Sequence, residues 1–320
     1  MQLFRRILVA ISVALPALLM AQDAAYPSKA IRIVAPFGAG GGGDTSLRLL
    51  ATQLSRAVGQ PVVVDNKPGG NGVIGAMEVQ RAAPDGYTLF YGSTTTLAAN
   101  ASLMKQLPYN ATRDFVPITE VGVFPFLLAV HPSVPATSLA QLIAYAKASA
   151  QPLTFASASH AGLVAGSAFA RMSGIELQHI PYKTAAAALT DLVGGQVAIM
   201  FVDVAAGLPM VKAGKIRSLG VTTAARSALL PDLPAISEVL PTYEVVAWTA
   251  MAAPASTRPE VVKRLHAELT KILAQADIRG EFERVGLEVR TSTPEQTTAF
   301  LASETEKWAR YIKAAGIQAE

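Results

Sequence analysis

A cluster of glycines lies where the apolar run of residues 31–35 stops. Gly38, Gly40 and Gly43 fit the spacing G-x-G-x-x-G within the segment IRIVAPFGAGGGGD. Glycines leave backbone N–H groups unshielded, and a helix that begins directly after them attracts an anion through its dipole and its unpaired donors. The pattern therefore predicts a loop that binds an anionic group, and Asp44 is the expected N-cap of the following helix.

Three interpretations fit this loop. A dinucleotide site requires an acidic residue about 20 residues beyond the glycines, and Asp65 meets that spacing. Pro36 and Phe37 count against this site, because the dinucleotide fingerprint turns directly off the strand and a bulky ring would crowd the pyrophosphate. A plain surface loop is the second interpretation. A cradle for a small carboxylate is the third, and we favour it because it needs only unshielded amides at a helix start.

Nucleophilic and metal-binding chemistry has little support in the residue inventory. The chain has no cysteine, and its four histidines, at 131, 160, 179 and 266, form no i, i+4 pair. Ser159 beside His160 suggests a hydrolase, although adjacent residues in a turn point apart while a nucleophile and its base must meet. His179 lies in a strand-like segment, where we expect a packed side chain. We expect no enzyme, no cofactor and no metal site.

Short apolar runs alternate with helical periodicity in two stretches of the chain. The predicted strands of the first stretch are IRIVAPF, PVVVDN and GYTLFYG, and those of the second are LTFASAS, LQHIPYK, VAIMFVDV and IRSLGVTT. Such strand–helix–strand units favour a parallel sheet covered on both faces. Two further apolar segments, DFVPITEVGVFPFLLAVHPSV and YEVVAWTAMAAPAS, bracket the second stretch, and helices follow from Pro259 and Pro294. This order predicts two domains joined by two hinge strands, with a cleft between them.

The N-terminus has the layout of a secretory signal. Arg5 and Arg6 precede the mostly apolar residues 7–20, and Ala21 follows. The apolar stretch is shorter than the ~20 residues that span a bilayer. We therefore predict a signal peptide at 1–21, cleaved after Ala21, and an exported mature protein. Its first domain is expected at 26–126 with 248–320, and its second domain at 127–247.

Composition favours a globular protein that does not bind nucleic acid. Hydrophobic residues make up 51% of the 320 residues and charged residues 16%, which suits large buried cores. The 27 basic and 23 acidic residues give a formal net charge of +4, and removal of Arg5 and Arg6 leaves 25 against 23, or +2. Such an even balance gives no support to a polybasic surface. Without cysteine, stability must come from buried apolar area.

Motifs along the whole mature chain resemble those of the Bug-type, or tripartite tricarboxylate transporter, periplasmic solute receptors. The opening YPSKAIRIVAPFGAGGGGD is similar to the start of that family, and later segments follow in the family's order and spacing: GQPVVVDNKPGGNGVIGA, PDGYTL, HIPYK, ALTDLVGGQV, LPMVKAGKIRSLGVTT, LPDLPAISE and WTAMAAPAS. The resemblance implies an α/β, two-domain periplasmic-binding-protein fold of type II, the Venus flytrap, with two hinge strands. It also implies a receptor that binds an organic acid and catalyses nothing.

The resemblance further implies which residues contact the ligand. Family members hold a carboxylate with two strand-to-helix loops, one per domain, largely through backbone amides and ordered water. The expected ligand-binding residues are Phe37, Gly38, Ala39, Gly40, Gly41, Ser93, Thr94, Thr95, Ser157, Ser159, His160 and Asp203. The hydroxyls of residues 93–95 could equally cap their own loop. Asp203 is expected either to meet an amine or hydroxyl of the ligand or to cap a turn.

The second of these loops departs from the family pattern. The segment FASASHAGLVAGSAFA is two residues shorter than the usual one, with Ala156 where a glycine is expected and the histidine displaced to His160. A protonated imidazole there would pair with a carboxylate, and a surface histidine is an equal interpretation. Because only one cradle is well supported, we expect the ligand to be a monocarboxylate or a small dicarboxylate.

The expected function is a periplasmic receptor for a small organic acid in the interdomain cleft, serving tripartite tricarboxylate-type uptake or sensing. The expected partners are this carboxylate ligand and a tripartite membrane permease or sensor, with no nucleic acid, and the protein is expected to be a monomer. The alternative is an exported hydrolase that uses Ser159 and His160 in the same cleft.

Overall fold

The computed structural model describes residues 26–319, and the predicted signal peptide at 1–21 lies outside them. Strands and helices alternate along the described chain and form two separate β-sheets. The helices of this region include none with both the length and the apolar composition that a bilayer crossing requires.

The first sheet contains six strands and mixes parallel with antiparallel pairing. Its strands are β1 (Ile31–Ala35), β2 (Val62–Asn66), β3 (Thr88–Ser93), β4 (Phe115–Phe124), β10 (Ala247–Pro254) and β11 (Glu288–Val289). They lie in the order β2-β1-β3-β10-β4-β11. β1 pairs parallel with β2 and β3, as predicted, whereas β10 is antiparallel to β3 and β4. The parallel pairing expected for the first three strands is confirmed, while β10 and β11, which belong to the returning chain, add antiparallel pairs to the same sheet.

The second sheet repeats this arrangement with five strands. They are β5 (Phe126–Val130), β6 (Leu153–Ser157), β7 (Leu177–Pro181), β8 (Ile199–Asp203) and β9 (Arg217–Val221), in the order β7-β6-β8-β5-β9. β6 pairs parallel with β7 and β8, whereas β5 is antiparallel to β8 and β9. β5 is the exception because it begins immediately after the chain leaves the first sheet.

Helices pack against both sheets. They are α1 (Gly42–Val58), α2 (Val73–Gln80), α3 (Asn100–Leu103), α4 (Leu139–Ala148), α5 (His160–Ser173), α6 (Ala185–Val193), α7 (Val204–Lys212), α8 (Pro259–Leu273), α9 (Ala276–Arg284) and α10 (Pro294–Ala314). A π-helical turn, Thr95–Ala99, leads into α3. α1 buries Leu47, Leu50 and Leu54 on one face, at the helical spacing seen in the sequence.

The chain crosses between the sheets twice, and the two crossings are hydrogen-bonded to each other. Only Pro125 separates β4 from β5, and the return runs through residues 222–246. Thr222 is fully buried at this junction. Its Oγ1 accepts a hydrogen bond from Phe126 N at 2.9 Å, and its carbonyl accepts one from Val245 N at 3.1 Å. The predicted domain limits, 26–126 with 248–320 and 127–247, stay a prediction.

A buried carboxylate joins the last helix to the strand that returns to the first sheet. Glu304, on α10, accepts hydrogen bonds from the indole Nε1 of Trp248 at 2.6 Å and of Trp308 at 3.2 Å. Lys307 forms ion pairs with Glu304 and, at 3.1 Å, with Glu244. Burial alone would lower the pKa of Lys307, but the two carboxylates outweigh burial and raise it. One acidic side chain thus fixes both tryptophans of the protein.

We expect Glu304→Ala to lower the free energy of unfolding by about 3–5 kcal/mol, because it leaves one buried cation with a single partner and two indole N–H groups without an acceptor. Glu304→Gln keeps an acceptor oxygen and should cost less. Urea denaturation measures both. Glu306→Ala is the matched control, since Glu306 lies exposed on the same helix and should change stability by no more than about 0.5 kcal/mol. Equal costs for the alanine variants at 304 and 306 would contradict the role assigned to the carboxylate.

Candidate ligand-binding site

A cavity of about 470 Å³ lies between the two sheets. Its walls include residues at or just beyond the carboxyl ends of β1, β3, β6 and β8, together with Phe124 and Pro125 at the first crossing and Trp248 on the returning strand. Ligands of open α/β sheets bind in the crevice beyond the carboxyl ends of parallel strands. The cavity is therefore the main candidate site in the described chain.

Four helices begin at this cavity. Gly42 and Gly43 open α1, Thr94 and Thr95 begin the helical turn that follows β3, His160 and Ala161 open α5, and Val204 to Ala206 open α7; all of them line the cavity. Each helix N-terminus carries partial positive charge and N–H donors without intrahelical acceptors. The cavity is thus surrounded by groups that favour an anion.

Several of these amides are left without an acceptor by the helix geometry itself. The first intrahelical bond of α1 runs from Thr45 N to Gly41 O at 2.9 Å. The amides of residues 42–44 therefore have no intrahelical acceptor. In α5, Ser159 Oγ accepts from Gly162 N at 3.1 Å, and Leu163 N donates to Ser159 O at 3.0 Å. The amides of residues 160 and 161 are therefore left without an acceptor in this helix.

The predicted role of Asp44 as N-cap is wrong. Gly41 occupies the N-cap position, and Asp44 lies inside the first turn of α1. Its carboxylate accepts hydrogen bonds from Gly40 N, Arg48 Nε and Asn66 Nδ2, each at 2.9 Å. Burial alone would raise the pKa of Asp44, but these hydrogen bonds outweigh it and lower the pKa. Asp44 therefore fixes the glycine loop through its bond to Gly40 N, and its own charge is paired with Arg48.

Asn66 is a supporting residue that the sequence reasoning missed. Its Nδ2 donates to Phe37 O at 3.1 Å as well as to Asp44, and its Oδ1 accepts from Arg48 Nη2 at 2.8 Å. The parallel register pairs Ala35 with Asn66, so the end of β2 lies beside the start of the loop. A polar residue at the end of the neighbouring parallel strand is the signal that could have identified it. Asp65, considered for a dinucleotide, instead pairs with Arg32 at 3.1 Å, away from the cavity.

Some of the ligand-binding residues predicted in the glycine loop line the cavity, and others do not. Phe37, Gly38 and Gly41 line it, whereas Ala39 and Gly40 do not. Gly40 has a φ of +90°, a conformation that other residues rarely adopt. The ring of Phe37 covers the first turn of α1 so closely that a Cβ at Gly43 would lie 3.0 Å from it. The aromatic ring is therefore a wall of the cavity, and the third glycine makes its approach possible.

The hydroxyl-bearing residues at the end of β3 all line the cavity. Thr94 Oγ1 accepts from Trp248 N at 2.7 Å, and Ser93 N donates to Thr96 Oγ1 at 3.0 Å. Backbone groups therefore use much of the hydrogen-bonding capacity of the threonine hydroxyls in this segment. The hydroxyl of Thr95 has no hydrogen-bond partner among residues 26–319. Thr95 is therefore the hydroxyl best placed to serve a ligand.

The second loop contributes His160 to the cavity but neither of its predicted serines. Ser159 is the N-cap of α5. Ser157 is buried, and its Oγ lies 2.7 Å from Nε2 of His179. Burial lowers the pKa of His179, which packs against Phe155 with 4.9 Å between ring centroids. The expectation of a packed, satisfied His179 is confirmed, and the serine and histidine in contact are not the pair proposed for a hydrolase.

Asp203 lines the cavity at the end of β8. It occupies the N-cap position of α7 but makes no capping bond to that helix. Across the described residues, its carboxylate takes part in no hydrogen bond to another residue and in no ion pair. Asp203 is exposed to solvent at the edge of the cavity, and partial desolvation by the surrounding protein raises the pKa of its carboxyl group. The interpretation of Asp203 as a turn cap is not supported.

Charge inside the cavity is sparse. Asp44, His160 and Asp203 are its titratable side chains, and the lining contributed by residues 26–319 includes no lysine and no arginine. Since Asp44 is already paired with Arg48 at 2.9 Å, an anionic ligand would depend on backbone amides, hydroxyls and the imidazole. The arrangement can bind a small anion by hydrogen bonding, without a fixed cation.

We expect Asp203→Asn to stabilise the ligand-free protein at neutral pH. The folded state raises the pKa of Asp203, so ionisation above the unfolded-state pKa of about 3.9 costs folding free energy. The gain from the neutral amide should shrink as the pH falls toward that value and vanish below it. Thermal unfolding across this pH range is the measurement. Asp232→Asn, at an exposed position outside the cavity, is the control, and a gain that persisted in acid would contradict the argument.

Two α/β units that face each other across an anion-favouring cavity define a two-domain solute-binding protein. The chain belongs to the tripartite tricarboxylate transporter family of receptors, because the model of that family, described as "Tripartite tricarboxylate transporter family receptor", matches residues 46–317. The predicted family and the predicted periplasmic-binding fold are both confirmed.

A relative from sequence comparison and two solved structures support the same family. BugT of Bordetella pertussis is 34% identical over 296 residues, which cover 91% of this chain and 90% of the relative. The structure described as R. palustris Rpa4515 with adipate is 33% identical with a TM-score of 0.79, covering 92% of this chain and all of the other. The structure described as MatC from Rhodopseudomonas palustris with bound malate is 28% identical with a TM-score of 0.73, and the match covers 90% of this chain and all of the other. These findings give no support to the hydrolase alternative.

Proposed function

We propose that this protein is a periplasmic receptor that captures a small carboxylate in the cavity between its two sheets. The observation that carries the proposal is the convergence of four helix starts on a cavity without lysine or arginine in its described lining. A carboxylate suits this arrangement because it accepts several N–H donors at once and is stabilised by helix dipoles. Relatives whose structures hold adipate and malate support the same ligand class.

The ligand contacts follow from the placement of the predicted residues. We assign direct or water-mediated contact to Phe37, Gly38, Gly41, Thr95 and His160, which line the cavity. We assign the other predicted residues of these loops a supporting role, in which they fix the conformation of the loops. They are Ala39, Gly40, Ser93, Thr94, Ser157 and Ser159. Asp203 is the remaining predicted residue, and its carboxylate is a hydrogen-bond acceptor rather than a donor.

We further propose that the receptor delivers its ligand to a tripartite membrane permease or to a sensor, and that it performs no catalysis. The family description names a transporter receptor. The hydroxyl of Ser159 is already occupied as the N-cap of α5, which agrees with a binding role. Ligand capture between two sheets joined by hinge segments fits closure of one unit on the other.

A thermal-shift panel tests the proposed function. The purified mature protein is heated with adipate, malate, monocarboxylates and amino acids, and with the neutral diamide of adipate as control. A ligand present at 100 times its Kd should add about 2.7 kcal/mol to the folded state. At least one carboxylate should raise the melting temperature while the diamide does not. If no carboxylate did so, or if the diamide bound equally well, the proposal would be wrong.

The glycine loop offers a sharper test with a matched control on the same helix. Gly40 and Gly59 flank α1, have φ values of +90° and +68°, and have no heavy atom within 4 Å of an added Cβ. A valine at either position should cost about 1–3 kcal/mol of stability through backbone strain. Only Gly40→Val should also weaken carboxylate binding, because it reshapes the loop that aims the amides. Calorimetry on both folded variants measures their affinities for the carboxylate. Equal affinities would show that the glycine loop is not part of the ligand site.

A further inference from the structure

The turn between α9 and β11 brings the two halves of the molecule into contact at the rim of the cavity. We call the first sheet with its helices the first unit, and the second sheet with its helices the second unit. Val285 and Gly286, in this turn of the first unit, line the cavity. A Cβ added at Gly286 would lie 3.3 Å from the backbone nitrogen of Ala205, at the start of α7 in the second unit. The two units therefore touch where this turn meets α7.

A side-chain hydrogen bond beside this contact joins the same two units. Ser227 Oγ donates to Glu288 Oε2 at 2.8 Å. Glu288 is the first residue of β11, which pairs with β4 of the first sheet. Ser227 follows β9 in a segment that is fixed to the second sheet, because Val221 N donates to Pro234 O at 2.9 Å. The hydrogen bond therefore crosses from one unit to the other.

The surroundings of this bond favour its formation. Ser227 is 1% exposed, and the side chain of Glu288 is 20% exposed. A hydroxyl that donates to a carboxylate forms a charge-assisted hydrogen bond, which is stronger than a neutral one. Arg290 Nη2 lies 3.4 Å from the other oxygen of Glu288, Oε1, so both carboxylate oxygens have partners. A separation of the units by a few ångströms would break the bond to Ser227, because hydrogen bonds weaken steeply with distance.

We propose that the bond between Ser227 and Glu288 is a latch, which favours the arrangement in which the two units touch and thereby sets ligand affinity from outside the cavity. Neither residue lines the cavity, so both are positioning residues that act through Val285 and Gly286. The apparent affinity of a ligand that requires this arrangement is proportional to the fraction of molecules that adopt it. The part of the inference that concerns affinity rests on the proposed function, because it assumes that the ligand binds in this cavity.

Distances between two spin labels measure the latch without a ligand. The chain has no cysteine, so Lys147→Cys on α4 and Lys271→Cys on α8 place one label at an exposed position of each unit. Ser227→Ala and Glu288→Ala should each lower the population at the distance of the present structure, relative to all other distances, by about tenfold. Glu288→Gln keeps an acceptor for the hydroxyl and should lower it less. Pulsed electron spin resonance on the ligand-free protein is the measurement.

A double variant and two controls separate the latch from local effects. Ser227 Oγ also accepts from Leu229 N at 3.2 Å, so Ser227→Ala alters its own turn as well. If the shift comes from the shared bond, the double variant Ser227→Ala with Glu288→Ala should lower the population no further than the single variants do. Ser237→Ala and Glu283→Ala are the controls, since Ser237 Oγ donates within its own segment at 2.7 Å and Glu283 is exposed on α9. Both controls should leave the distances as they are in the parent protein.

Calorimetry with adipate and with malate gives the second measurement. Each single alanine variant should raise both dissociation constants by about threefold to tenfold, and by the same factor for both acids, because the latch acts on the units and not on the ligand. Distances that both variants leave unchanged would overturn the inference. Dissociation constants that stay as in the parent protein, or that change for one acid alone, would also overturn it. Failure of every carboxylate to bind the parent protein would overturn the proposed function, and the label distances would still decide the latch.

Discussion

The architecture depends on a junction where the chain passes between its two sheets twice at one place. Thr222 receives hydrogen bonds from Phe126 N and Val245 N, so the outgoing and the returning segments are held side by side. With only Pro125 between β4 and β5, the outgoing segment has little freedom to separate the sheets. This junction sets the carboxyl ends of the parallel strands against each other, and the cavity follows from that placement.

The site that results uses backbone dipoles where other anion sites use fixed cations. Hydrogen bonding by amides depends strongly on geometry, so the loops that carry them must be held. Asp44 and Asn66 hold the glycine loop through bonds to Gly40 N and Phe37 O, and the Ser157–His179 contact holds the strand end below the second loop. The polar side chains around the cavity thus serve mainly to fix the backbone.

Local pattern was sufficient for much of the fold and insufficient for the details of the site. Periodicity predicted β1 and α1 because a strand and an amphipathic helix are local features. The antiparallel direction of β10 depends on a return of the chain from more than a hundred residues away, which no local pattern records. The start of α1 was misplaced because Gly41 caps it without a side chain, and the Ser157–His179 contact arises from the register between two strands. Eight of the twelve residues expected from the family resemblance line the cavity, whereas Ala39, Gly40, Ser157 and Ser159 do not.

Two carboxylates show how stability and function divide within this fold. Glu304 is buried and receives both indoles and Lys307, so its charge is fully used by the protein. Asp203 is exposed to solvent and stands without a partner among the described residues, and partial desolvation raises its pKa. Solvent reaches Asp203, and the dipole of α7 favours a carboxylate at this position, so the fold can keep the residue without a protein partner. The buried acid is therefore committed to the fold, whereas the exposed acid leaves its charge in the cavity that we propose as the ligand site.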